Sequence, residues 1–106
     1  MVRVIVIPRG TQKLYGAMVK KEVSLRRSGK GTLHRSAGKH RGIEKWSHKN
    51  YKGWVWFEEC LGGVVVAEVK SQEEGEEDDL LRSFLAFLHR HFRPNVASMT
   101  VSYGDA

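Results

Sequence analysis

The chain has 106 residues, 41% hydrophobic and 28% charged, with a net charge of +6. That size fits one domain with a modest core, and the balance excludes a disordered chain. The single cysteine, Cys60, excludes an internal disulfide, and no apolar run has the length of a membrane span or a secretory leader, so a reducing, cytoplasmic setting and no membrane partner are expected.

The net charge hides its distribution. Residues 1–53 hold 14 Lys or Arg against two acids, Glu22 and Glu44, a net of +12, whereas residues 54–106 hold four against ten, a net of −6. A basic half of this density creates a field that attracts polyanions.

Residues 2–7, VRVIVI, are β-branched and apolar on both faces except at Arg3, which predicts a buried strand ended by Pro8 and Gly10. Residues 14–27 admit two readings. As a strand, Ala17, Val19, Val23 and Leu25 share one face, and Met18, Lys20, Glu22, Ser24 and Arg26 the other. As a helix, Leu14, Met18 and Leu25 line up, but Gly16 and two valines count against it. The strand is the preferred reading. Residues 28–31, SGKG, then form a turn, and 32–35 return antiparallel, giving a basic hairpin with Arg26, Arg27, Lys30 and Arg35 near its tip. Residues 36–52 are polar and very basic and read as mostly irregular, with a short strand near 43–46; a loop this long in a small domain is functional or mobile.

Residues 54–70 are the centre of the chain. WVWFEECL and VVVAEVK on either side of Gly62 and Gly63 predict a β-hairpin with a two-residue turn. That turn pairs Leu61 with Val64, Glu59 with Val66 and Trp56 with Val69, so Trp54, Trp56, Cys60, Val65, Ala67 and Val69 share a face. Both faces are largely apolar, which places the hairpin mid-sheet. Six carboxylates follow between residues 73 and 79. They lead into LLRSFLAFLHRHF, where Leu80, Leu81, Phe84, Leu85, Leu88 and Phe92 repeat at helical spacing. Acids at the start of a helix, and His89, Arg90, His91 and Arg93 at its end, complement the helix dipole. The acidic run is therefore read as the start of a helix over about 77–92, not as a cation site. Pro94 ends it, and residues 96–103 alternate as a strand with one solvated face.

The expected fold is a single α+β domain over residues 1–106. Its mainly antiparallel sheet is covered on one face by the helix of the C-terminal half, and a right-handed crossover leaves residues 2–7 between the two strands it joins. If residues 14–27 are a helix, the order becomes a ferredoxin-like βαββαβ.

The basic region interleaves cations with aromatic rings: Arg26, Arg27, Lys30, Arg35, Lys39, Arg41, Lys45, Lys49 and Lys52 with Trp46 and Tyr51. Cations neutralise phosphates, and exposed rings stack on unpaired bases. The expected function is nucleic-acid binding through phosphates, weakly specific in sequence, with no cofactor and no metal. Trp54 is expected in the core; Trp46 suits either role. One alternative is a protein-interaction domain, meeting an acidic partner or, because the two halves have opposite charge, a second copy of the chain as a homo-oligomer. Another is a small metal-independent ribonuclease using His34, His40 or His48 beside the cations. One cysteine and scattered histidines lack zinc-ligand spacing, and the GKG at 29–31 lacks the phosphate-loop pattern.

Overall fold

Alternation along the first strand sets the architecture. In a computed structural model, which describes residues 1–10, 13–40 and 43–104, Val2, Val4, Val6 and Pro8 are buried, whereas Arg3 and Ile7 are exposed. This strand, β1 (Val2–Pro8), is followed by α1 (Leu14–Arg27), β2 (Leu33–His40), β3 (Ile43–His48), β4 (Trp54–Glu59), β5 (Val65–Lys70), α2 (Glu74–Phe92) and β6 (Val96–Tyr103). The six strands form one sheet in the order β2-β3-β4-β5-β1-β6, and every pairing is antiparallel. The fold is α+β, with β1 between β5 and β6 as expected. Without the β2–β3 hairpin, the element order is the βαββαβ of the alternative reading; the hairpin extends the sheet beyond β4.

Residues 14–27 are a helix, not the strand preferred from sequence. Its buried stripe is Leu14, Met18 and Glu22, at helical spacing, with Tyr15, Val19 and Leu25 partly buried. The third member is an acid. It is fully buried because the ring of His34 approaches it at 3.1 Å and Arg26 at 3.5 Å. Residues 28–31 are therefore the exit from a helix and no basic hairpin tip exists there. Nor are residues 36–52 mostly irregular, since they supply the end of β2, all of β3 and the turn into β4.

The central hairpin also differs in its turn. Leu61–Gly63 form a three-residue loop, closed by the Cys60 N–H donating to the Val64 carbonyl at 2.7 Å, with Gly62 and Gly63 at φ 73° and 76°. Trp56 consequently pairs with Glu68, not Val69, and Glu59 with Val65. A one-residue shift turns a strand over relative to its neighbour. Val55 and Phe57, not Trp54 and Trp56, share the buried face with Val65, Ala67 and Val69.

Both helices lie on that face. Leu80, Leu81, Phe84, Phe87, Leu88 and Phe92 of α2 join Leu14 and Met18 of α1 in one core with the inward residues of the sheet. Phe87 takes the place expected of Leu85, which is only partly buried. Phe57 meets Phe84 edge-on at 5.2 Å and Trp46 at 5.0 Å. Among the described residues no element covers the opposite face, with Ile5, Ile7, Trp54, Trp56 and Val66, so the double burial expected of β1 is not found. Leu88 is fully buried. Leu88→Ala is expected to cost ~2–5 kcal/mol, read as the change in urea-unfolding midpoint at unchanged slope.

Candidate nucleic-acid interface

The uncovered face is built by register. Across β3, β4 and β5, Lys45 lies opposite Trp56, Ser47 opposite Trp54, Trp54 opposite Lys70, and Trp56 opposite Glu68. Trp54 and Trp56 are two residues apart on one strand, about 6.6 Å along it, and both are half-buried. The Lys45 ammonium sits 4.6 Å from the centre of the Trp54 ring and 5.8 Å from that of Trp56. A cation over two indole faces is held by their quadrupoles without being neutralised. Ile43, Val66 and the Met1 side chain complete a hollow of about 310 Å³ around the rings.

At one end of this hollow, Trp54 and Lys70 also line a cleft of about 540 Å³ with His48, Tyr51, Lys52 and Glu73. The two depressions share Trp54 and Lys70 as a common wall. Gly53 allows this junction: its φ is 106°, and a Cβ there would stand 2.3 Å from the Lys70 carbonyl oxygen. The turn before β4 is thereby pressed against the end of β5. Tyr51 packs on the His48 ring at 4.5 Å. His48 Nδ1 accepts the Asn50 N–H at 2.9 Å, and burial, then the nearby His34, hold its imidazole below the ordinary histidine value. The other end of the face is acidic: Glu58 sits beside Ile43, and Glu68 is paired with Arg3 at 3.3 Å.

The residues singled out from sequence do not form one patch. Lys45, Lys49, Tyr51 and Lys52 lie on β3 and the following turn. Arg26, Arg27 and Lys30 lie at the end of α1, and Arg26 is spent on Glu22. Arg35 grips the Glu44 carboxylate through Nε and a terminal nitrogen at 3.1 and 3.2 Å, so it is a structural cation. Arg41 and the side chains of Lys39 and His40 lie outside the described residues. Trp46 is fully buried and unavailable to any base. Its indole N–H donates to the Tyr15 hydroxyl at 3.0 Å, and that hydroxyl donates to Glu44 at 2.5 Å. Trp46, which suited either role, is thus a core residue, and Trp54, expected in the core, is only half-buried, on the uncovered face. Trp56, Trp54 and Lys70 were missed as site residues; the signal that finds them is the three-residue loop, which turns β4 over.

The histidines are engaged separately. His34 bonds the Glu22 carboxylate through Nδ1 and the Gly31 carbonyl through Nε2, at 3.1 and 3.2 Å, and His48 is held as described. Among the described residues, no hydrogen bond joins these two rings. Comparison with protein-family models, curated proteins and solved structures yields no match to this chain.

The Tyr15 phenol is pushed far above its ordinary value, first by burial and then by its bond to the Glu44 carboxylate. An unfolded tyrosine ionises near pH ~10. The folded state then holds a proton that the unfolded chain has lost, so stability from Tyr15 is complete below pH ~10 and falls as pH rises above it. Melting temperatures measured from pH 8 to 11 should fall more steeply above pH 10 for the parent protein than for Tyr15→Phe. At neutral pH that variant should be ~1–3 kcal/mol less stable, since the Trp46 N–H loses its acceptor.

Proposed function

We propose that this protein binds single-stranded nucleic acid across the uncovered sheet face, with bases stacked on Trp54 and Trp56 and phosphates neutralised by Lys45, Lys70 and Lys52. The observation that carries this reading is the pair of indoles on one strand with an unneutralised ammonium over them. Two rings at this spacing suit neighbouring bases of an extended strand. Duplex bases are already stacked on one another and offer no free face. Glu58 repels phosphate at one end of the face, so the strand runs from Trp56 past Trp54 toward Lys70, Lys52 and Tyr51. The contacts are to ring faces and phosphates, which carry little sequence information.

Fluorescence anisotropy with labelled single- and double-stranded oligonucleotides of DNA and RNA tests it. Single strands should bind more tightly than duplexes. Trp54→Ala and Trp56→Ala should each cost ~1–3 kcal/mol, about 5- to 150-fold in Kd. Three lysine–phosphate contacts give a log–log salt slope of about −2, shallower by ~0.7 for each of Lys45→Gln, Lys52→Gln and Lys70→Gln. Equal binding of duplex and single strand, or wild-type affinity in both tryptophan variants, rules this site out.

A second reading, self-association, is favoured by one observation. The edge strand β6 has no charged residue over its eight positions, and only Val96 is buried. Natural edges carry charges or bulges that block pairing with another chain. If a second copy pairs along β6, light scattering should give a dimer mass that Thr100→Lys returns to the monomer. A monomer at all concentrations removes this reading.

A further inference from the structure

We propose that the cleft between the end of α1 and the last turns of α2, on the opposite side of the sheet from the tryptophans, binds a small phosphate-bearing ligand. The cleft has a volume of about 330 Å³ and draws on two distant parts of the chain: Lys30 and Thr32 from the loop after α1, and Ser83, Phe87, Arg90 and His91 from α2. The four α2 residues recur at i, i+4, i+7 and i+8, which is one stripe of a helix. Phe87 closes the floor, and the His91 ring stands edge-on to it at 5.2 Å.

The charge in this cleft has no protein answer. Among the described residues, no carboxylate forms an ion pair with Lys21, Lys30 or Arg90, whereas Arg3, Arg26 and Arg35 each have one. The last acid of α2, Asp79, stands one turn before Ser83 and eleven residues, about 16 Å along the axis, before Arg90. Two helix C-termini near the cleft supply only about half a negative charge each, and that partial charge falls off within a turn. Lys30 and Arg90 on the lining, with Lys21 near enough to act on His91, exceed it. Burial, then the charges of Lys21 and Arg90, hold the His91 imidazole below the ordinary histidine value.

A phosphate group answers each of these features. The Arg90 guanidinium offers paired donors matched to two phosphate oxygens, and Lys30 a point charge. The hydroxyls of Thr32 and Ser83 and one imidazole N–H supply neutral donors. Phe87 supplies an apolar floor beneath these donors.

The test is titration of the full-length chain with inorganic phosphate and with adenosine monophosphate, followed by amide and imidazole NMR at constant ionic strength with chloride as the reference. Saturable shifts should centre on Lys30, Gly31, Ser83 and His91. The His91 titration should move to higher pH on saturation, because the bound anion offsets Lys21 and Arg90. Lys30→Gln with Arg90→Gln should weaken binding about tenfold or more, and Arg90→Glu alone should abolish it; both sites are exposed, so the fold is retained. Tighter binding of the nucleotide than of phosphate assigns its base to the Phe87 wall, and equal binding assigns the site to the phosphate alone. Trp54→Ala should leave phosphate binding unchanged, which keeps this cleft distinct from the sheet face. Shifts that match those of chloride, or that persist in Arg90→Glu, overturn the proposal.

Discussion

The three-residue loop Leu61–Gly63 sets the β4–β5 register, and that register decides which side of the sheet the helices cover. With Trp56 opposite Glu68, the small and branched side chains of β4 and β5 point inward together, and Phe57 reaches Phe84. A loop one residue shorter would turn β4 over, burying two indoles and Glu58 under α2 and exposing Val55 and Phe57. Burial of Glu58 without a partner, and loss of the Phe57 contacts, would each oppose that arrangement. The wet aromatic face is thus the remainder of a packing choice made on the other side.

Charge follows the same division. The basic half of the chain folds so that its two acids, Glu22 on α1 and Glu44 on β3, are both buried. Each is held by cations and hydrogen-bond donors from its neighbours, which consumes Arg26, Arg35 and His34. The carboxylates are buried and their cation partners partly exposed, so each acid keeps its charge out of water only through these contacts. Of the basic half's remaining cations, Lys45 and Lys52 lie beside the tryptophans, where Lys70 joins them, and Lys30 lies in the cleft between the helices, where Arg90 joins it. The basic half thus contributes to two separate surfaces, one beside aromatic rings and one between the helices.

Element types were largely legible in the sequence, and faces were not. The strands β1, β4, β5 and β6 and the helix α2 follow from β-branched runs, alternation and helical spacing. The helix α1 was misread because its inward stripe ends in Glu22, and an acid is taken as an outward residue unless its partners, here His34 and Arg26, are known. The β2–β3 hairpin was misread for a similar reason. Arg35 and Glu44 satisfy each other on the inward side, but in sequence they look like solvated charges. Composition around Trp46 is polar and around Trp54 apolar, yet Trp46 is the buried one. Local composition identifies a strand; only pairing with its neighbours says which of its residues face the core.

The position of β1 has a consequence for how the chain acquires its fold. Among the described residues its strand neighbours are β5 and β6, so Val2 waits for Val69 on one side and Tyr103 on the other. At roughly 5–20 residues per second of synthesis, the first of these partners follows several seconds behind β1. The β2–β3–β4 meander closes by short local turns and has a lower loop-closure cost. During synthesis, therefore, this β-prone and apolar segment emerges ahead of both strands it pairs with. Lone β-strands of this kind are templates for wrong pairings. Arg3, the one charge in VRVIVI, stands on the face that remains bare after folding and interrupts the run while it is unpaired.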